Sequence, residues 1–136
     1  MRIFLDANIL FSAAKSEGAV RRLLALLLDA GHECWVDGFV LAEARRNLVA
    51  KAPAGIEWLD SILVRLRVGE KQVEVTGQGE LPLSEKDRPV LAAAIRHRCQ
   101  ALVTGDRRHF GPLFGETLKG VTIHSPRSLA EALLPE

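Results

Sequence analysis

Short apolar segments alternate with longer amphipathic ones along this chain, and the alternation restricts the folds that it can adopt. Five short segments are predicted to be strands of a sheet: four are mostly apolar, and one, residues 72–75, alternates polar and apolar residues. They are residues 2–5, 33–36, 72–75, 101–104 and 121–123. Strands separated by helices are typical of parallel sheets. We therefore predict an α/β fold with three layers, in which helices cover both faces of a central parallel sheet.

The intervening segments have helical periodicity and residues that commonly start or stop helices. Gly31 and Gly69 are expected to end helices, and Asp37 is expected to cap the start of one. A loop is expected over residues 77–83, which contain two glycines and a proline. The predicted helices are residues 17–30, 39–51, 56–67, a helix that begins near residue 87 and ends near residue 99, a short helix at best over 107–114, and 126–133.

Length and composition indicate one globular domain, residues 1–136, with 48% hydrophobic and 26% charged residues. The longest leucine-rich run, residues 23–28, is too short to cross a bilayer. Asp6 and Asn8 interrupt the apolar N-terminus, so we expect no signal peptide. Cys34 and Cys99 match no metal or redox spacing and are predicted to be buried free thiols. Together these features favour a cytoplasmic protein that does not contact a membrane.

Two aspartates follow predicted strands directly or after a short turn. Asp6 follows residues 3–5, and Asp106 follows Thr104 and Gly105, where glycine permits a positive φ and a close approach of backbone to ligand. Ligands of α/β sheets bind outside the carboxyl ends of the strands, so both acids point to one crevice. Each acid also has a purely structural interpretation, as an Asx turn or a helix cap.

Two further acids lie on predicted helices. Asp87 precedes Val90, Leu91 and Ala94, which form the buried stripe of its helix, although a capping role explains its position equally well. Glu43 flanks an apolar stripe of its helix, and a solvent-exposed position is the usual one for such a glutamate. Four carboxylates within about 5 Å of one another would repel by roughly 3 kcal/mol per pair. If the four carboxylates converge, a bound divalent cation is what offsets their repulsion.

The net charge of +1 gives the whole molecule no general attraction for nucleic acid. Most basic pairs suit solvated helix faces. Arg107, Arg108 and His109 differ, because they directly follow Asp106 and must lie near the crevice.

These residues resemble the motifs of the PIN-domain family, and in particular those of the VapC-type toxins of toxin–antitoxin pairs. The similar segments are residues 3–10 (Ile-Phe-Leu-Asp-Ala-Asn-Ile-Leu), 40–43 (Val-Leu-Ala-Glu), 87–94 (Asp-Arg-Pro-Val-Leu-Ala-Ala-Ala) and 102–110 (Leu-Val-Thr-Gly-Asp-Arg-Arg-His-Phe). They follow one another in the order of the family and cover nearly the whole chain. The resemblance implies a parallel five-stranded sheet and a metal-dependent endoribonuclease.

Asp6, Glu43, Asp87 and Asp106 fall on the acidic quartet of the family, which makes them the predicted catalytic residues. Asp6, Asp87 and Asp106 would hold Mg²⁺ or Mn²⁺, and Glu43 or Asp87 would position or deprotonate the attacking water. Many relatives carry a further acid after the strand-end aspartate, whereas this chain has Arg108 and His109, so the number of ions stays open.

Contacts to RNA are expected from the polar and basic residues around the two strand ends. These candidate substrate-binding residues are Asn8, Thr104, Arg107, Arg108 and His109. The resemblance also implies an antitoxin partner. The helices at 17–30 and 56–67 have more large apolar residues than one face needs, and part of that surface could serve a homodimer or the antitoxin.

Two other functions remain compatible with the sequence. An aspartate after the first strand could be the nucleophile of a phosphotransfer enzyme, although Asn8 and the absence of a lysine beside the strand ends disfavour it. The same fold could also be a catalytically silent module that binds RNA or protein. The four acids argue against this second alternative.

Overall fold

A computed structural model describes residues 1–69 and 88–134 of the chain. Its strands are β1 (Arg2–Leu5), β2 (Glu33–Asp37), β3 (Arg67–Gly69), β4 (Ala101–Val103), β5 (Thr117–Leu118) and β6 (Val121–His124). Its helices are α1 (Ala7–Lys15), α2 (Ala19–Asp29), α3 (Gly38–Lys51), α4 (Gly55–Ile62), α5 (Arg88–Arg96), α6 (Arg107–Phe110) and α7 (Pro126–Leu133). Short 3-10 turns, Leu63–Arg65 and Gly111–Leu113, follow α4 and α6.

In the described part of the chain the strands form one sheet in the order β3-β2-β1-β4-β6-β5. The first five of these strands are parallel, and β5 runs antiparallel to β6. The predicted α/β fold with a parallel sheet is therefore confirmed. β1 lies between β2 and β4, so the residues that follow β1 and β4 emerge side by side at the carboxyl edge.

Two strands differ from the prediction. The helix predicted for residues 56–67 ends at Ile62, and β3 follows at Arg67–Gly69, beside β2. The short strand β5 was not predicted; it pairs with β6 through a two-residue turn in which Lys119 and Gly120 have φ of 50° and 87°. Such positive φ angles match the twist of a tight hairpin. The predicted strand at 72–75 and the loop at 77–83 lie outside the described residues.

Helix α1 was also missed, because Asp6 and Asn8 suggest a turn rather than a helix start. In the structure Asp6 caps α1. Ala7, Leu10 and Ala14 lie three to four residues apart on its buried face. At the other end of α1, the guanidinium of Arg21 donates hydrogen bonds to the carbonyls of Ala13 and Ala14. Both ends of the helix that carries Asn8 are thereby fixed.

The core fills both sides of the sheet. Ile3, Phe4 and Leu5 are at most 1% exposed, although successive residues of a strand point to opposite faces. Helices therefore cover both faces, as predicted. Cys34 and Cys99 are free and buried, as predicted, and burial raises the pKa of each thiol to about 12. Among the described helices, none is both long and apolar enough to cross a membrane.

Candidate active site

Asp6 lies where β1 ends and α1 begins, and it is 6% exposed. Its backbone N–H donates to the carbonyl of Val103 at 3.1 Å, which keeps β1 beside β4 up to this residue. Its Oδ1 accepts the N–H of Ala7 at 2.7 Å. Asp6 therefore caps helix α1, the structural role considered for it, and the cap uses one of its two carboxylate oxygens.

The other oxygen of Asp6 is held by two side chains. Oδ2 accepts the hydroxyl of Thr104 at 2.8 Å and the amide of Asn8, whose Nδ2 lies 3.3 Å away. Thr104 is fully buried, so its hydroxyl has a fixed position. The carboxylate is thus held in one orientation. Each of its oxygens can accept more than one hydrogen bond or a metal bond.

The loop after β4 is tied to the same group of residues. The N–H of Gly105 donates to Oδ1 of Asn8 at 2.8 Å, and the N–H of Asp106 donates to the hydroxyl of Thr104 at 3.1 Å. Asn8 and Thr104 therefore connect the two strand ends. Gly105 does not adopt the positive φ that glycine permits. The turn is formed by hydrogen bonds to side chains instead.

Asp106 caps the short helix α6. Its Oδ1 accepts the N–H of His109 at 3.1 Å, and its Oδ2 lies 2.7 Å from Nδ1 of the His109 ring. Burial alone would raise the pKa of the Asp106 carboxyl, but the hydrogen bonds and the charge of His109 outweigh it and lower that pKa. Asp106 is therefore kept ionised at neutral pH.

Asp6 shows the opposite electrostatic behaviour. Burial raises the pKa of its carboxyl to about 6, although the hydrogen bonds from Thr104 and Ala7 act to lower it. The negative charges of Glu43 and Asp106 raise it further. The carboxylates of Glu43, on α3, and Asp106 thus both lie close enough to Asp6 for their charges to be felt there.

The structure brings together five of the residues predicted for the site. They are Asp6, Asn8, Thr104, Asp106 and His109, which form one chain of hydrogen bonds. Glu43 interacts with this group electrostatically, since its negative charge raises the pKa of Asp6. Arg107 and Arg108 are exposed beside Asp106. Asp87 lies outside the described residues, so the convergence of all four acids stays a prediction.

Among residues 1–69 and 88–134, the side chains at this site supply some of the ligands that a hard cation needs, but not a complete set. Carboxylate oxygens are the ligands that Mg²⁺ and Mn²⁺ prefer. Within those ranges no three acid, histidine or cysteine side chains come close enough together to hold an ion. Asp6 and Asp106, with Glu43 nearby, supply oxygen donors and an excess of negative charge. A cation would relieve that charge.

Sequence reasoning assigned some residues at this edge of the sheet to other roles or to none. Asp37 ends β2 and is 5% exposed; its Oδ1 accepts the N–H of Val40 at 3.0 Å, as its predicted capping role requires. Phe114 and Arg127 were not singled out. They line a cleft together with Thr104 and Arg107. The segments 104–107 and 125–127 meet there because β4 pairs with β6.

Replacing Thr104 by valine should show how much its hydroxyl contributes. The valine leaves Oδ2 of Asp6 without its shortest hydrogen bond and the N–H of Asp106 without its acceptor. We expect the free energy of unfolding to fall by about 1–3 kcal/mol and the pKa of Asp6 to rise further. Urea denaturation measures the first effect, and NMR titration of the carboxyl carbon measures the second.

Thr104→Ser is the matched control, because it keeps the hydroxyl and loses only a methyl group. It should retain the pKa of Asp6. If the valine and serine variants titrate alike, the hydroxyl does not tune this carboxylate.

Comparison with known proteins identifies similar sequences and folds. A family model described as PIN domain matches residues 2–108. No curated protein matches the chain with significance.

Several solved structures share the fold. The VapBC2 complex of Rickettsia felis, bound to a DNA fragment from its promoter, contains a chain with a TM-score of 0.67 and 20% identity, covering 92% of this chain and 98% of its own. A chain of the DNA-bound VapBC of Salmonella typhimurium has a TM-score of 0.66 and 18% identity. The match covers 93% of this chain and 98% of that one. VapC20 of Mycobacterium tuberculosis is described as a toxin that cleaves the sarcin-ricin loop. It has a TM-score of 0.56 and 15% identity, and the match covers 76% of this chain and 91% of that one.

Proposed function

Because this chain belongs to the PIN-domain family, we propose that it is a divalent-metal-dependent endoribonuclease and the toxin of a toxin–antitoxin pair. The proposed reaction is hydrolysis of an RNA phosphodiester by water. The proposed domain comprises all 136 residues. In support of this, Leu129 of α7, beyond the matched residues 2–108, is fully buried in the same hydrophobic core as β1.

One observation supports this function most strongly. Asp6 is a buried carboxylate at the carboxyl edge of the sheet; burial raises its pKa to about 6, and the charges of two further carboxylates make smaller contributions in the same direction. A protein that needed Asp6 only as a helix cap would gain nothing from Glu43 and Asp106 nearby. Negative charge collected at one edge is costly without a cation and favourable with one.

The residues of the site have distinct proposed roles. Asp6, Asp106 and Asp87 would hold Mg²⁺ or Mn²⁺, and Asn8 and Thr104 keep Asp6 oriented for it. When bound, such an ion lowers the pKa of water and neutralises charge on the scissile phosphate. Glu43 or Asp87 would orient the attacking water and accept its proton.

The basic residues after Asp106 are proposed to bind substrate. Arg107 and Arg108 are exposed and can donate to phosphate oxygens in pairs. The His109 ring is held by Asp106, so its first proposed role is to position that carboxylate and its second is to contact phosphate.

An antitoxin, a homodimer and a cytoplasmic location complete the proposal. The solved neighbours include a toxin–antitoxin complex from Klebsiella pneumoniae, at 19% identity. On the apolar helices of this chain Leu23, Leu24, Leu27 and Leu59 are buried in the core. Leu26 is 44% exposed. A small part of these helices is therefore available to another chain, and the larger part serves the core.

Cleavage of structured cellular RNA tests the proposed activity. The purified protein should cut RNA with Mg²⁺ or Mn²⁺ and should leave it intact in excess EDTA. Mapping the cut ends would then identify the target. An Asp106→Asn variant should be folded and inactive, whereas Arg65→Gln, which removes an exposed ion pair with Asp29, should cut normally. Cleavage that persists in EDTA contradicts the metal-dependent mechanism.

A further inference from the structure

A cleft opens beside the acidic residues, on the side of β6. Its volume is about 280 Å³, and its walls include Thr104, Arg107, Phe114, Pro126 and Arg127. The cleft exists because β4 and β6 are parallel neighbours, with Val103 beside His124, so the segments that follow both strands leave the same edge. This volume is just below the roughly 300–1,000 Å³ range of ligand pockets. This volume suits one nucleotide better than a longer segment.

The cleft shares a wall with the acidic site. Thr104 borders the cleft, and its buried hydroxyl donates to Oδ2 of Asp6 at 2.8 Å. A molecule in the cleft therefore lies next to the groups proposed to act on the phosphodiester.

The charges of the lining suit an anion. Arg107 and Arg127 are the charged residues among those that line it, and both are exposed. Arg127 lies 3.8 Å from Glu131 in an ion pair whose side chains are 88% and 70% exposed. An exposed pair of this kind is weak, so its guanidinium can turn to a phosphate at little cost.

The remaining wall is apolar. Phe114 and Pro126 are both partly buried, so they are held by the protein and still present surface to the cleft. An aromatic ring beside arginines is the arrangement on which unpaired bases stack while their phosphates are bound. Paired bases are not available for such stacking.

We propose that this cleft binds one unpaired nucleotide of RNA, adjacent to the phosphodiester at Asp6 and Asp106. The base lies against Phe114 and Pro126, and a phosphate lies between Arg107 and Arg127. This inference rests on the proposed ribonuclease function and adds the place on the protein at which the RNA beside the cut is held. It also explains how the acidic edge can receive a polyanion, since two arginines attract the chain beside the carboxylates that repel it.

Binding of a short fluorescent single-stranded RNA, measured by anisotropy in EDTA, tests the cleft. Arg127→Gln should weaken binding about 5- to 10-fold and reduce the dependence of log Kd on log salt by about one. Arg65→Gln is the matched control, because it removes the same charge and likewise disrupts one exposed ion pair. It should change binding less than about 2-fold. Equal effects of the two variants would overturn the assignment.

A second variant tests the base contact. Phe114→Leu keeps an apolar side chain and loses the aromatic face, so it should weaken single-stranded RNA about 5-fold or more. Its melting temperature should stay close to that of the wild type, which shows that it is folded. If double-stranded RNA of the same length binds as tightly and with the same dependence on Arg127 and Phe114, the cleft does not hold an unpaired nucleotide.

Cleavage assays separate the two proposals. If the wild type cuts RNA and Arg127→Gln cuts it with the same KM and at the same positions, the cleft assignment is wrong and the ribonuclease function stands. If the wild type binds RNA through Arg127 but cuts none with Mg²⁺ or Mn²⁺, the ribonuclease function is wrong and the cleft assignment stands.

Discussion

An Asp6→Asn variant is expected to lose RNA cleavage by more than about 100-fold and yet to be more stable than the wild type in the absence of metal. The loss follows from the proposed role of Asp6 as a metal ligand. Replacing a residue that merely supports a metal ligand typically lowers metal affinity or activity about 10- to 100-fold, so replacing a ligand itself should lower activity more. The gain in stability follows from the cost of ionised Asp6 in the fold, where burial and two neighbouring carboxylates raise its pKa to about 6.

The stabilisation that comes from protonated Asp6 decreases as the pH rises. The pKa of Asp6 is about 6 in the folded protein against 3.8 as the ordinary value, so the folded state binds the proton more tightly. That contribution to stability is complete below pH 3.8 and is lost as the pH rises through about 6. The full difference corresponds to roughly 3 kcal/mol. Part of it is offset in the variant, because the new amide faces the amide of Asn8.

Thermal denaturation in EDTA measures this effect. At pH 8 the melting temperature of Asp6→Asn should exceed that of the wild type by several degrees, and the difference should shrink towards zero near pH 4. Adding Mn²⁺ at pH 8 should raise the melting temperature of the wild type and leave the variant nearly unchanged.

Asp29→Asn is the control for the charge change, because Asp29 is an exposed carboxylate. It should show neither the pH-dependent gain nor the loss of the Mn²⁺ response. If Asp6→Asn is less stable than the wild type at every pH, the weakened helix cap costs more stability than removal of the buried charge gains. A wild type that does not respond to Mn²⁺ or Mg²⁺ would contradict the metal site.

The sequence was sufficient for the central strands of the sheet and for the acid that follows each of two strands, because both depend on local patterns. Residues 3–5 and 101–103 are apolar throughout, which indicated central strands, and an acid follows each of them. That β1 and β4 are neighbours was not predictable from spacing alone. It depends on the strand order, in which β1 lies between β2 and β4.

The errors have physical causes of their own. Helix α1 was missed because Asp6 and Asn8 are turn formers, and their side chains instead bond to the backbone of Ala7 and of Gly105. β3 and β5 have three and two residues, too few to show a period. The cleft at Arg127 could not be found from local motifs, since Thr104 and Arg127 meet only through the pairing of β4 with β6.

Production of the wild-type protein in a heterologous host is expected to stop or strongly slow growth, whereas Asp6→Asn should be harmless. An endoribonuclease without its inhibitor damages the RNA of its own cell, and the proposed activity requires Asp6. Growth curves after induction, with both proteins at equal level on an immunoblot, measure the effect. Arg65→Gln should be as harmful as the wild type, since it changes an exposed ion pair away from the acidic site.

Relief of this toxicity tests the proposed partner. Co-expression of the small protein encoded beside this one should restore growth if that protein is the antitoxin. Inhibition would be simplest if the partner placed an arginine against Asp6 and Asp106, because a guanidinium matches carboxylates bidentately and supplies the positive charge that the acids otherwise take from a cation. Asp6→Asn should then bind that partner more weakly in a pull-down. If the wild type and Asp6→Asn are equally harmless, the toxin proposal loses its support, and RNA cleavage by the purified protein decides separately whether the ribonuclease proposal stands.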